Sequence, residues 1–320
     1  MQNDKTRTTG TPLNQLKTTL DPLPRRYQRE LENVVAILFE EFERVMARKT
    51  SEKTRGGQIS NIILFGSFAR GTWVDDPDSG YKSDYDLLII VNNEHLTDFI
   101  EYWYDAEDRL LREVLLRRID RDVHFIVHSI SDVNDKLSEG HYFFTDIKTD
   151  GIALYERKGA RKLAKAKILT PERHAEISRG YFDLWFPKIS GALEIVSFCM
   201  KQGNRNDAAF LLHQSVERAY NCVLLTFTHY VPPIHDIKRL RSFAETRDPR
   251  LIAAWPREPG LLRVSKHRAA FEVLKTAYVD ARYSEHFTIT DEQLTWLTER
   301  AVLLNDLVKA ACTDHLAALE

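Results

Sequence analysis

Two aspartates one residue apart stand at the start of an apolar stretch. They are Asp84 and Asp86 in SDYDLLIIV, where residues 87–91 predict a buried strand. Side chains alternate between the two faces of a strand, so both carboxylates point the same way. Two such acids beside a core repel one another unless a cation lies between them, and Mg²⁺ prefers hard oxygen ligands. The alternative is a strand end at the surface with two solvated acids.

A glycine–serine pair upstream of these aspartates is a second motif that could act with them. Gly66 and Ser67 follow the apolar stretch IILF and precede FARG, which can open a helix. Glycine lets the backbone approach a phosphate, which helix-terminal N–H groups and a serine hydroxyl can bind. Arg70 either adds a phosphate contact or is an ordinary surface arginine. The whole arrangement fits a triphosphate cradle beside a metal platform, as metal-assisted nucleotidyl transfer requires.

The elements that position these residues fill the first half of the chain. Apolar residues at helical spacing predict a helix within 25–49. Further helices are predicted at 94–118 and 131–140, and strands at 58–65, 87–91, 122–129 and 151–159. We therefore expect an α+β domain, a mixed sheet with helices on one face.

After Gly159 the pattern becomes helical only. Helices are predicted at about 172–202, 205–229, 235–246, 261–285 and 290–313. The predicted organisation has four parts: a flexible segment 1–23, an α+β domain 24–160, a basic linker 161–171 and an all-α bundle domain 172–320.

Composition narrows the function classes. The chain has 320 residues and a formal net charge of −2, which argues against a broad basic surface for nucleic acid. Three cysteines without a CxxC pair fit a reducing compartment. No apolar run approaches the roughly 18 residues of a membrane span, and the N-terminus has no signal-like apolar region. We expect a cytoplasmic protein without a membrane partner.

Residues 25–158 resemble the minimal nucleotidyltransferase domain of the DNA polymerase β superfamily. GSFARG is similar to its glycine–serine motif and SDYDLLIIV to its paired aspartates. The resemblance implies that Gly66 and Ser67 hold the nucleotide phosphates, while Asp84 and Asp86 bind Mg²⁺. The loop TWVDDPDSGYK between the motifs is longer than in the most compact members.

The family's third carboxylate, usually on a later strand, has no obvious counterpart in this sequence. Asp122 is the candidate, either completing the metal site or starting a strand in solvent. It shares the polar face of the strand DVHFIVHS with His124 and His128. His124 either stands beside the metals or lines a wet surface.

Residues 172–315 resemble a HEPN domain, a helical bundle associated with prokaryotic nucleotidyltransferases. The resemblance rests on AAFLLHQSVERAY, HDIKRL and AYVDARYSEHF. It places a possible site at Arg282, Tyr283 and His286. Ribonuclease HEPN domains separate the arginine and histidine by more than the three residues found here, so a helix end in solvent is the alternative.

Residues and resemblance together predict an Mg²⁺-dependent nucleotidyltransferase. It would move NMP, with ATP as the expected donor of AMP, to a hydroxyl acceptor and release pyrophosphate. The acceptor could be a small molecule such as an aminoglycoside, a protein tyrosine or an RNA end. Two alternatives stay open. One is a HEPN ribonuclease of toxin type, restrained by its fused antitoxin-like domain. The other is a nucleotide-binding regulator without turnover.

The helix predicted at 205–229 is apolar over much of its circumference. A helix of this kind needs cover on every side. We expect a homodimer through the helical half to supply part of that cover. The alternative is a monomer whose bundle closes on itself.

Overall fold

The computed structural model describes residues 16–49, 54–76, 81–255 and 266–320. The chain divides into two compact units, with the main boundary between Ile168 and Leu169. The division at Ile168 lies inside the segment 161–171 that the sequence predicts as a linker.

The first unit is built on a mixed four-stranded sheet. The strands of this sheet are β1 Ile59–Phe65, β4 Tyr85–Val91, β5 Val123–Ser129 and β6 Ile152–Glu156. A separate two-stranded ribbon is formed by β2 Asp75–Asp76 and β3 Tyr81–Lys82. The main sheet has the order β5-β4-β1-β6. β4 and β5 are parallel, whereas β1 is antiparallel to β4 and β6. The mixed sheet predicted from the sequence is confirmed.

Helices cover both faces of this sheet rather than the one face expected. They are α1 Arg25–Met46, α2 Gly66–Arg70, α3 Phe99–Tyr102, α4 Tyr104–Leu115, α5 Ile130–Glu139 and α6 Tyr142–Asp150. Leu87 belongs to a core shared with α1, α3 and α4. Phe65, on the other face, packs edge-to-face on Phe143 of α6. The sequence did not predict α6, whose nine residues between Gly140 and Gly151 are too few to show a helical repeat.

Part of the predicted flexible segment 1–23 is bound to the sheet. The N–H of Lys17 donates to the carbonyl of Gly151, and the N–H of Ala153 donates to Lys17. Leu23 is 3% exposed and belongs to the core of the first unit. Residues 1–15 lie outside the described residues.

The described residues of the second unit from Leu169 onward form helices and connecting loops. Its helices are α7 Pro171–Lys201, α8 Arg205–Thr228, α9 Ile237–Glu245, α10 Lys266–Tyr283 and α11 Asp291–Leu319, with a 3₁₀ turn at Pro249–Ala254. None of the described helices combines the length and apolar character needed to cross a bilayer.

Helix α8 is the core of the second unit. It packs against α7, α9, α10 and α11 within the same chain. Leu212, Val216 and Val223 are buried there without any partner subunit. The apolar circumference of α8 is therefore explained by its own bundle, and it no longer argues for a dimer.

Candidate functional site

The predicted site residues of the first unit meet at one edge of the main sheet. β1 ends at Phe65, where β4 begins, and Phe65 lies opposite Asp86 in the antiparallel register. Asp86 is also the parallel register partner of His124 on β5. The backbone N–H of Tyr85 donates to the carbonyl of Asp122 at 2.9 Å, which aligns the starts of β4 and β5. Backbone pairing thus brings the two aspartate motifs side by side.

Asp84, Asp122 and His124 form a cluster of potential ligands. One ligand atom from each lies within 4.8 Å of the others. Nε2 of His124 is 3.6 Å from Oδ2 of Asp84, and both side chains are less than one-fifth exposed. Asp122, the candidate third carboxylate, therefore stands in the same cluster as Asp84. His124 stands there too, whereas the sequence left open whether it lined a wet surface.

Asp86 faces the glycine–serine turn. Gly66 has a φ of +77°, a conformation that side-chain-bearing residues rarely adopt. A Cβ atom on Gly66 would lie 2.5 Å from Oδ2 of Asp86. Position 66 must therefore be glycine for two reasons: the backbone conformation and the space that the Asp86 carboxylate fills.

Ser67 and Arg70 belong to α2, which begins directly after β1. Ser67 is half-buried at the start of this helix, where the first N–H groups have no intrahelical acceptor. Arg70 is exposed in the last turn of α2. The structure thus places Ser67 directly after Gly66, whose Cβ position faces Asp86, while Arg70 stands one turn further on.

The predicted residues of the second unit lie at the end of α10. Arg282, Tyr283 and His286 are all exposed. Nε of Arg282 donates to the carbonyl of Tyr278, and its guanidinium lies 4.6 Å from the ring centre of Phe210. Within the described residues, no hydrogen bond, ion pair or ring contact joins Arg282 to His286.

Two family models match the chain. A nucleotidyltransferase domain model matches residues 46–139, and a HEPN domain model matches residues 184–310. The chain is a nucleotidyltransferase domain fused to a HEPN domain. A comparison with curated proteins gives no match. The fusion inferred from GSFARG, SDYDLLIIV and the helical motifs is therefore confirmed, and the first of these domains supports a transferase.

The nucleotidyltransferase model spans the whole cluster at the sheet edge, from Gly66 to His124. The HEPN model spans Arg282 and His286. It also spans a cluster of polar side chains that the sequence analysis did not predict. The sequence does contain polar residues within the apolar helix α8 and His235 before α9, and these could have indicated such a cluster. Only the packing of the helices shows which of them meet.

The polar cluster of the HEPN unit joins three elements. Nδ1 of His235 lies 3.1 Å from Oε1 of Glu217 on α8. The His235 ring stacks on Tyr278 of α10, with 4.2 Å between ring centres and 15° between planes. Tyr278 also contacts the Arg282 guanidinium, 4.8 Å from its ring centre. A histidine oriented by a carboxylate is suited to proton transfer.

His213 lies behind this pair and is fully buried. Its Nδ1 is 3.8 Å from Oε2 of Glu217, and both ring nitrogens are enclosed. Burial lowers the pKa of His213 to about 4, because the charged ring would lose its water. His213 is therefore neutral at pH 7.

Proposed function

We propose that the nucleotidyltransferase unit transfers NMP, with AMP from ATP as the expected case, to a hydroxyl acceptor with release of pyrophosphate. The observation that supports this most directly is the cluster of Asp84, Asp122 and His124, within 4.8 Å of one another. Asp86 and Gly66 adjoin it at the same sheet edge. Carboxylates and a phosphate turn are the two parts that metal-assisted nucleotidyl transfer needs.

The side chains present fit Mg²⁺. Asp84, Asp86 and Asp122 offer the hard oxygen atoms that this ion prefers, and two carboxylates plus phosphate oxygens are a common set. Bound Mg²⁺ would neutralise charge on the triphosphate and polarise its phosphorus. His124 adds a nitrogen beside Asp84, where it can hold the orientation of that carboxylate.

Side chains and backbone groups of the chain itself would bind the phosphates and move the proton of the acceptor. Gly66 and Ser67 bring backbone N–H groups and a hydroxyl to the phosphates. Asp122 has two possible roles, as the third metal ligand or as the base that takes the proton of the acceptor hydroxyl. The attacking oxygen then forms the new bond to the α-phosphorus, and pyrophosphate leaves. The acceptor is a small molecule, a protein tyrosine or an RNA end, encountered in the cytoplasm.

Labelled nucleotides test this proposal. The full chain is incubated with Mg²⁺ and each α-labelled NTP, with and without cell extract, and label is followed on protein, RNA and small molecules. We expect transfer with ATP above the other nucleotides, and none in EDTA. Transfer that persists in the Asp84→Asn/Asp86→Asn variant would overturn the proposal. Tight ATP binding without pyrophosphate release would favour the regulator without turnover.

A ribonuclease activity of the HEPN unit is the second candidate function. The His235–Glu217 contact favours it, because it supplies an oriented acid–base group against Tyr278, the ring that the exposed Arg282 also contacts. RNA cleavage in EDTA, lost in His235→Asn and in Arg282→Gln, would support it. Loss in His286→Asn with His235→Asn unaffected would place the chemistry at the end of α10 instead.

We also propose that the protein is a homodimer through the HEPN unit. Three apolar side chains of α7 are half exposed or more: Leu184, Ile195 and Phe198. A second copy is the simplest cover for such a face. Light scattering of the full chain at tens of micromolar, compared with Phe198→Glu, tests this, and a monomeric wild-type chain would refute it.

A further inference from the structure

Arg121 is the most deeply buried charged side chain near the site. It immediately precedes Asp122, and the residue is 2% exposed. Taking a guanidinium out of water costs several kcal/mol unless its donors are paired. Since an apolar side chain is often equally stable in such a place, a fully enclosed arginine calls for an explanation in terms of geometry.

The donors of Arg121 connect segments on either side of the site. Nη1 donates to the backbone carbonyl of Ser83, the residue before Asp84, at 2.9 Å. Nη2 donates to the Tyr27 hydroxyl at 2.9 Å and to Oδ2 of Asp75 at 3.2 Å. One side chain therefore ties the backbone of Asp122 to that of Asp84 and to α1.

Aromatic rings enclose the same guanidinium. Its carbon lies 4.6 Å from the ring centre of Tyr27, 4.9 Å from that of Phe68 and 5.8 Å from that of Tyr85. Phe68 directly follows Ser67 in α2, and Tyr85, the first residue of β4, separates Asp84 from Asp86. Cation–π contacts of this kind hold a planar cation in one place.

We propose that Arg121 is a positioning residue that sets the separation between the phosphate turn and the carboxylates. It touches the neighbour of Ser67 and the neighbour of Asp84, and it is itself the neighbour of Asp122. The inference rests on the proposed function, since it assumes that these groups bind a metal–nucleotide complex. Arg121 does not touch the ligand; it acts through the backbone of residues that do.

Lysine cannot replace this arginine. Its single ammonium lacks the planar fork that reaches the Ser83 carbonyl and the Tyr27 hydroxyl together, and it stacks less well between rings. Arg121→Lys keeps the charge and much of the volume, so it removes the geometry more than the electrostatics. Arg109→Lys is the matched control, because Arg109 joins α4 to Glu40 and Glu41 of α1, outside the site.

The test measures binding rather than turnover. Calorimetry on the full chain follows a non-hydrolysable ATP analogue over a series of Mg²⁺ concentrations, below the melting temperature of every variant. We expect Arg121→Lys to weaken Mg²⁺-dependent binding by roughly 10- to 100-fold, the usual effect of removing a group that orients metal ligands. Arg109→Lys should bind as wild type does, even if it melts as early.

Two outcomes separate the inference from the proposed function. A wild-type chain that binds no Mg²⁺–nucleotide overturns the proposed function. A wild-type chain that binds, with Arg121→Lys equal to it, overturns only the role of Arg121. If Arg121→Lys does not fold, Tyr27→Phe decides, since it removes the hydrogen bonds of the Tyr27 hydroxyl to Arg121 and Asp75 and keeps the ring. A smaller loss of affinity in Tyr27→Phe supports the inference, and unchanged affinity refutes it.

Discussion

The two units hold their polar side chains together by different means. In the nucleotidyltransferase unit, Asp86 and His124 are register partners on neighbouring strands, so backbone hydrogen bonds set their separation. In the HEPN unit, Glu217 and His235 come from a helix and a loop and meet only through their side chains. The first site is therefore fixed by the sheet itself, whereas the second depends on how the helices pack.

The burial of charge differs in the same way. Arg121 is enclosed, and its Nη1 and Nη2 atoms are paired whereas its Nε has no hydrogen-bond partner among the described residues. His213 is equally enclosed, and burial keeps it neutral by lowering its pKa. The nucleotidyltransferase unit thus buries a charge whose Nη donors are paired, and the HEPN unit buries a neutral group that could become charged. The two should respond differently to substitution and to acid.

The largest effect is expected from the paired aspartates. If the proposed function holds, Asp84→Asn/Asp86→Asn should reduce nucleotidyl transfer by on the order of 100-fold or more, because a bound Mg²⁺ would lose two charged ligands. The variant should melt no lower than wild type, since removing two like charges one residue apart relieves repulsion at the start of β4. Activity assays with thermal melts check both, and Asp135→Asn, an exposed acid of α5, is the control. A large fall in melting temperature would show that the acids stabilise the sheet edge instead.

Gly66→Val should come next. The valine side chain meets Oδ2 of Asp86 and is strained at a φ of +77°, so the Asp86 carboxylate must move. We expect ATP affinity to fall at least about 10-fold and stability to fall by roughly 1–2 kcal/mol from the backbone alone. Gly71→Val is a matched control: Gly71 also has a φ of +77° but has nothing within 4 Å of its Cβ position. Equal affinity losses in both variants would exclude a specific role for the Gly66–Asp86 contact.

As the pH falls, the HEPN unit should lose stability before the nucleotidyltransferase unit does. Burial lowers the pKa of His213 to about 4 in the folded chain, against about 6.5 when unfolded. The unfolded chain therefore binds more protons between these values, and stability falls as the pH drops from about 6.5 to about 4, by up to about 3 kcal/mol. Burial also lowers the pKa of His315 to about 4, which adds to the effect.

The nucleotidyltransferase unit has its acid sensitivity at lower pH. A hydrogen bond from His128 lowers the pKa of Asp132 below its usual 3.8, so that contribution is lost only as the pH falls further. Hydrogen exchange at pH 7 and pH 5 should show the helices around α8 opening first. His213→Leu should reduce the difference in α8 protection between pH 7 and pH 5. His286→Gln, at an exposed histidine, should leave this difference unchanged. Equal protection of α8 at both pH values would contradict this.

The smallest effect is expected at Ser67. If its hydroxyl binds one phosphate oxygen, Ser67→Ala should weaken ATP binding by roughly 0.5–1.5 kcal/mol without changing stability. Calorimetry measures this directly. Ser138→Ala, in which the lost hydroxyl donates only to the carbonyl of Asn134, is the control. Binding unchanged in Ser67→Ala would leave the backbone N–H groups as the phosphate contacts.

The sequence could predict the strand-borne half of the site because strand geometry is simple. The alternation of a strand places Asp84 and Asp86 on one face, and the same rule puts Asp122 with His124. It could not show that β4 and β5 run parallel in register, which is what brings Asp122 to Asp84. Nor could it show the contact between Gly66 and Asp86, which depends on a backbone angle.

The helical half was harder to predict for a physical reason. The apolar circumference of α8 correctly indicated cover on all sides, but it could not say whether that cover came from the same chain. The α7, α9, α10 and α11 helices supply it. Side-chain pairs such as His235 with Glu217 depend on that packing, so spacing along the sequence does not reveal them.

The contact between Gly66 and Asp86 constrains how such a domain can lose catalysis over evolution. A side chain at position 66 fits only after residue 86 has become shorter, because the carboxylate of Asp86 fills that space. The substitutions that abolish catalysis therefore have a preferred order, in which the aspartate is substituted first and the glycine afterwards. The reverse order passes through a chain that folds poorly. A homologue with a side chain at 66 and a shortened residue 86 is then marked as a pseudoenzyme, while this chain keeps both residues of the pair.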